Sequence, residues 1–271
     1  MSNKPYKGFE PKWLLTPAPE GSYRSIFRWG DPNFFKDPKE SLYTLMKEKF
    51  QMTDDDFKAY SDDTGFDPVE LPDHPVQLAP EHIDALKAIV GEQNLSTTDY
   101  DRLSVAYGAT AYDLLRLRHK RIDSVPDVVL YPETSEQVEQ IVAYSTEHHI
   151  PLYVYGGGSS VTRGVEPTKG GISLDMRRNF NKVISFNEID QTITVQAGMS
   201  GPDLEKALQN APELFGAKRQ YTCGHFPQSF EYSSVGGWTV TRGAGQNSTY
   251  YGTIADIVLS QKYATPIGVI Q

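Results

Sequence analysis

Apolar and polar residues alternate with two different periods along the chain. From about residue 37 to 119 the apolar positions recur every three or four residues, as on one face of a helix. In DPKESLYTLMKEKF, Asp37 is placed as N-cap, Pro38 at the first helical position and Glu40 in the first turn, with Leu42, Leu45 and Met46 on one face. Thr53 and Asp56 repeat the capping logic in TDDDFKAY. APEHIDALKAIVGE predicts a helix that starts at Pro80 and buries Ile83, Leu86, Ile89 and Val90, and TAYDLLRLRH predicts another. The first 36 residues have no clear period but carry Trp13, Tyr23, Phe27, Trp29, Phe34 and Phe35, which suits a segment that wraps a surface.

From Val128 the pattern changes. A short apolar run, 128–131, is stopped by Pro132. Thr134 then caps a helix, with Gln137 in the reciprocal position, Val138, Ile141 and Val142 inward, and His148 and His149 at its negative end. Residues 150–155 form a second apolar run, which completes a β-α-β unit with an expected right-handed crossover. GISLDM reads as a further strand. KVISFNEIDQTITVQAG alternates as a hairpin, with Val183 and Ser185 on one face and Ile184 and Phe186 on the other. SGPDLEKALQNA is a short helix capped at Ser200 or Gly201, with Leu204, Ala207 and Leu208 inward. Strand character returns over residues 257–264.

With 271 residues the chain can bury a real core, as one large domain or two modest ones. Net charge of −9 argues against nucleic acid as the main partner, because the densest basic stretch, 116–121, lies between Asp113 and Asp123. The single Cys223 excludes an internal disulfide framework and points to a reducing, cytoplasmic compartment. No secretory signal opens the chain, no stretch approaches a transmembrane length, and no His or Cys spacing suggests a metal site. Cys223 with His225 reads as a packed loop rather than a nucleophile pair, and Trp238 as a core aromatic.

The chemistry concentrates in glycine. Residues 156–160, GGGSS, end the second apolar strand, at the carboxyl edge where parallel sheets bind ligands. A backbone without Cβ atoms can turn its N–H groups toward an anion, and Ser159 and Ser160 add hydroxyl donors. The run is neither a Walker loop nor a G-x-G-x-x-G fingerprint, and alone it reads more readily as a strand-end turn. A second segment, SSVGGWTVTRGAG, shifts the balance toward one extended ligand shared by two loops. Arg163, Arg177 and Arg178 supply local positive charge.

PDVVLYPETSEQVEQIVAYSTEHHIPLYVYGGGSSV resembles the start of the FAD-binding domain of the vanillyl-alcohol oxidase and p-cresol methylhydroxylase superfamily. Within it, QSFEYSSVGGWTVTRGAGQNSTYYGTIADIV resembles the alkyldihydroxyacetonephosphate synthase branch. The resemblance covers roughly residues 105–265 and is weak before about residue 95. It implies that Tyr155, Gly156, Gly157, Gly158, Ser159, Ser160 and Val161 form the pyrophosphate loop. Gln228, Ser229, Phe230, Glu231, Tyr232, Ser233 and Ser234, with Gly236 and Gly237, then line the flavin side together with Thr241, Arg242, Gly243 and Ala244. Gln228 stands where the family usually has Asp, and Ala244 where it often has Ser. The glycine loop has no His or Cys, so FAD is expected to be noncovalent, and no metal is implied.

The expected fold is α+β: a two-subdomain, PCMH-type FAD-binding fold over residues 120–271, preceded by a mainly helical N-terminal extension, 1–119. The resemblance further implies a flavin-dependent oxidoreductase acting on a hydroxyl-bearing small molecule, or an alkyldihydroxyacetonephosphate synthase-like enzyme. Residue 271 lies inside what resembles a hairpin of the FAD domain, before the family's cap domain. A chain of this extent is expected to be catalytically poor alone, and to form a homodimer or take the cap from a separate chain. The competing expectations are a flavin-binding remnant without turnover and a nucleotide-binding protein without flavin.

Overall fold

The structure, a computed structural model, describes residues 17–26, 40–58 and 65–271. The expected cap at Asp37 and Pro38, and the aromatics Trp13, Phe27, Trp29, Phe34 and Phe35, lie outside the described residues. In chain order the elements are α1 (Glu40–Phe50), α2 (Asp54–Lys58), α3 (Pro80–Val90), β1 (Leu95–Ser96), α4 (Asp99–Ser104), α5 (Ala111–Arg118), β2 (Val128–Leu130), α6 (Ser135–Glu147), β3 (Leu152–Tyr155) and β4 (Ile172–Asp175). They continue as β5 (Val183–Asn187), β6 (Thr192–Val195), α7 (Gly201–Gln209), α8 (Ala211–Phe215), α9 (Val235–Thr241), α10 (Ser248–Tyr251), α11 (Ile254–Ile257), β7 (Tyr263–Thr265) and β8 (Gly268–Ile270).

Two compact units result. Among the described residues, one joins 17–26, 40–58 and 65–70 with Ala111–Ile122, the other Leu71–Thr110 with Asp123–Gln271. Segment 71–110, expected in an N-terminal extension, thus packs with the sheet, because α3 supplies Leu86 and Val90 to its core and β1 pairs with β2. In the first unit, Thr53 and Asp56 exchange the predicted capping bonds, and Arg116 forms a buried ion pair with Asp113 at 3.4 Å.

The second unit is built on a four-stranded sheet in the order β1-β2-β4-β3. β4 runs parallel to both β2 and β3, so the strands of the β-α-β unit are separated by β4, while β1 is antiparallel to β2. Successive side chains of a strand face opposite ways. Val128 and Leu130 therefore join Ile172, Leu174, Leu86 and Ile141 in one cluster, and Val129 and Tyr131 join Val105 and Tyr155 in another. A sheet covered on both faces needs unbroken apolar strands, which is why 128–131 shows no alternation. α6 starts as expected: Thr134 Oγ1 accepts from the Gln137 N–H at 3.2 Å, and Gln137 Oε1 accepts from the N–H of Glu133 rather than of Thr134, at 2.7 Å.

A second core gathers Met199, Leu204, Leu208, Trp238 and Ile254 beneath the β5–β6 hairpin. Ser200 caps α7, its Oγ accepting from the Asp203 N–H at 3.2 Å. Simple alternation in β5 fails at a bulge between Val183 and Ser185. Val183 and Phe186 both turn inward, and Ile184 is 61% exposed. The strand expected over 257–264 is also corrected. Ile254–Ile257 is a helical turn closed by a Thr253–Asp256 capping box, and pairing begins only at Tyr263.

Candidate functional site

The glycine run sits where the sequence places it, directly after β3 at the carboxyl edge of the parallel strands. A Cβ at Gly157 would overlap the Tyr232 carbonyl oxygen and lie 2.5 Å from Ser233 Cα. A Cβ at Gly156 would overlap Ser234 Oγ, and one at Gly158, whose φ is +70°, would overlap the Tyr155 hydroxyl. The two small-residue segments are therefore packed backbone against backbone, and glycine is required for that approach. Among the described residues, no backbone N–H of 156–161 donates to a protein acceptor. Amides of a glycine-rich bend that have no such partner can donate to an anion.

A third segment completes the loop. The Ala109 N–H donates to Ser160 O at 2.8 Å, and a Cβ at Gly108 would overlap the same oxygen. Sequence reasoning passed over this contact, although the small residues of AYGAT are its signal. Two arginine–tyrosine pairs lie at the carboxyl ends of the same parallel strands. Arg177 lies over the Tyr155 ring at 4.7 Å, and Arg178 over the Tyr131 ring at 4.6 Å. Arg177 is fixed by Asp175, with Nε and Nη2 donating to its two carboxylate oxygens at 3.0 and 2.5 Å. Burial alone would lower the Arg177 pKa, but the carboxylate more than offsets it and holds the value above the usual one. Burial pushes the Tyr131 phenol up to about 12.

The other predicted residues divide by role. Ser234 is the N-cap of α9, its Oγ accepting from the Gly237 N–H at 3.3 Å. Ser233 Oγ accepts from Trp238 Nε1 at 2.6 Å and donates to Ser229 O at 2.7 Å, so this hydroxyl already has partners. Phe230 packs against Trp238 with ring centres 6.0 Å apart. Gln228, Glu231 and Val161 are exposed, as are Thr241, Arg242 and Ala244 at the far end of α9. Gly236 is closed against Ala197, and its N–H donates to Ala197 O at 2.8 Å. A helix of seven residues separates its two ends by about 10 Å. The structure thus brings 156–158 to 232–234 and leaves 241–244 a helix length away, an arrangement that suits an extended ligand.

His225, read from the sequence only as part of a packed loop with Cys223, lies at this far end. It is 1% exposed and packs on Trp238 with ring centres 5.1 Å apart. A Cβ at Gly243 would lie 3.8 Å from its Nε2. Among the described residues neither ring nitrogen has a hydrogen-bond partner. Burial holds its pKa below the usual histidine value, so the ring is neutral near pH 7. Cys223 is not paired with the imidazole: its Sγ–H donates to the His225 carbonyl at 3.3 Å, and burial pushes the thiol up to about 11.

A family model described as "FAD binding domain" matches residues 126–271. The chain belongs to this FAD-binding domain family. It is 32% identical over 200 residues to an alkyldihydroxyacetonephosphate synthase from Dictyostelium discoideum, covering 73% of this chain and 31% of that protein. A D-lactate dehydrogenase [cytochrome] from Saccharomyces cerevisiae is 26% identical over 190 residues, covering 69% of this chain and 30% of the other. Among solved structures, an alkyldihydroxyacetonephosphate synthase superposes with a TM-score of 0.68 at 32% identity, over 73% of this chain and 39% of that one. The Physcomitrella patens protein BBE-like 1 shares the fold at 23% identity and a TM-score of 0.50, over 68% of this chain and 37% of that one. The architecture is accordingly the PCMH-type FAD-binding fold, α+β as expected. The chain spans about a third of the length of the curated relatives it matches. No described helix is long and apolar enough to cross a membrane.

Proposed function

We propose that the chain holds FAD noncovalently, as the FAD-binding part of a flavin-dependent oxidoreductase or an alkyldihydroxyacetonephosphate synthase-like enzyme acting on a small hydroxyl-bearing substrate. The observation that carries this reading is the closure of Gly156 and Gly157 onto Tyr232–Ser234, in a loop whose amides, 156–161, have no acceptor among the described residues. Those amides would take the diphosphate, with Ser159 and Ser160 as further donors. Arg178, stacked on Tyr131 and exposed, supplies counter-charge at the same sheet edge, whereas Arg177 is held by Asp175. His225, Gly243 and the α9 C-terminus would border the ring end of the ligand, where a buried neutral imidazole can give or accept one hydrogen bond without carrying charge. Bound FAD would supply hydride-transfer chemistry at its isoalloxazine ring.

Noncovalent attachment is supported by the chemistry of the donor set. Residues 156–161 hold no nucleophile stronger than serine, and Cys223 is half-buried, with its thiol pushed up to about 11 and so protonated near pH 7. The likeness to alkyldihydroxyacetonephosphate synthases supports the reading of an enzyme, and the single thiol supports a reducing, cytoplasmic setting. The FAD-binding part is taken as 120–271, with 71–110 packed onto its sheet. Acid precipitation of flavin-loaded protein tests attachment: all yellow colour should leave with the supernatant, and colour kept in the pellet would refute it. Colourless protein that added FAD cannot reconstitute would remove the whole proposal. Bleaching of the bound flavin by 2-hydroxy acids, or ether exchange from an acyl-dihydroxyacetone phosphate, distinguishes the two enzyme classes.

A further inference from the structure

Away from the glycine loops, α3 and α6 bring two histidines together. His82 lies in the first turn of α3, and His148 is the C-cap of α6. Their ring centres are 5.1 Å apart, and the rings are tilted by 57° rather than stacked. His82 Nδ1 is 2.8 Å from the Tyr144 hydroxyl, and the Tyr144 ring packs on His148 at 4.3 Å. Neither imidazole is needed for the flavin reading, and the aromatic contact alone does not call for two histidines.

We propose that His82 and His148 chelate a divalent transition-metal ion of the zinc, nickel or copper type. Three features of this arrangement match that chemistry. With Zn–N bonds of about 2.1 Å, and ring nitrogens about 1.1 Å from their ring centres, two imidazoles on a tetrahedral ion have centres about 5.2 Å apart. The observed 5.1 Å between ring centres matches that spacing. His82 Nδ1 lies 2.8 Å from the Tyr144 hydroxyl; in the tautomer whose Nδ1–H donates to that oxygen, Nε2 keeps its lone pair to ligate and the ring is fixed, as outer partners of metal-bound histidines do. His148 ends a helix of 13 residues, where the last carbonyls give a negative field that favours a cation. His148 is exposed and His82 half-buried, so an ion can enter from solvent. Among the described residues no three or more His, Cys, Asp or Glu side chains gather as a metal cage. The site therefore has two protein ligands, with water completing the sphere, and exchanges its ion readily. Imidazole ligands select zinc, nickel and copper over magnesium, which takes oxygen donors.

Because α3 and α6 pack in one core cluster, an ion held between them would brace that contact. The test is thermal unfolding and calorimetric titration of the full chain, free of any affinity tag, with zinc, nickel and magnesium chlorides. Zinc and nickel should bind saturably, one ion per chain, and raise the melting temperature, while magnesium should do neither. His148→Asn changes an exposed side chain and should weaken zinc binding at least tenfold without lowering the metal-free melting temperature. His82→Ala should weaken it as much, and His149→Ala, the neighbouring imidazole, should not. Absence of saturable zinc binding, or zinc binding unchanged in the His82→Ala, His148→Asn double variant, overturns the proposal. None of these outcomes depends on flavin binding.

Discussion

Gly157→Ala is the sharpest probe of the glycine loop. The new Cβ would point at backbone that cannot rotate away, with Ser233 Cα at 2.5 Å and the Tyr232 carbonyl carbon at 2.6 Å. Carbon–carbon contacts begin at about 3.5 Å, so the two segments must part by about 1 Å. Overpacking of this kind costs about 1–3 kcal/mol, and for a domain of this size that lowers the melting temperature by about 2–10 °C. An amide displaced by 1 Å also leaves hydrogen-bonding range of an anion. Bonds to charged groups are worth about 1.5–3 kcal/mol, so losing one weakens FAD binding by about ten- to a hundredfold. The assay is a titration of free FAD followed by flavin fluorescence, paired with a melting curve. Gly164→Ala is the control, because a Cβ there meets nothing within 4 Å. If Gly157→Ala binds FAD within twofold of the parent and melts at the same temperature, the closed packing of the two segments has no energetic consequence and the site reading fails.

His225 gives a pH test. Its folded pKa lies below the ordinary value of 6.5, so the unfolded chain binds this proton more readily, and the stability it confers is present above about pH 6.5 and drains as pH falls. The parent's melting temperature should decline from pH 7 to pH 5 more steeply than that of His225→Leu; parallel profiles would show that the imidazole is not held neutral by burial. Cys223, pushed up to about 11, should react with a thiol reagent at pH 8 far more slowly in the folded chain than in urea, and equal rates would contradict its burial. Arg178→Ala should weaken FAD binding and make the remaining affinity less sensitive to salt, whereas an unchanged salt dependence would exclude this guanidinium from the charge balance.

What the sequence determined by itself was local. Helix starts at Thr134 and Ser200, the hairpin at β5–β6 and the two glycine-rich loops are written in residues a few positions apart, because caps, periods and turns depend on near neighbours. The family was legible for the same reason, since its motifs are contiguous runs. The tertiary structure alone decided which backbones meet. No local signal says that β4 enters between β2 and β3, that 71–110 joins the sheet, that Ala109 holds Ser160, or that Gly157 closes on Tyr232. These contacts join positions far apart in sequence, and each is selected by the packing of the whole core rather than by the residues that make it. The same holds for His225, an ordinary loop histidine in the sequence, which becomes a buried neutral group only because Trp238 and the chain around Gly243 close over it.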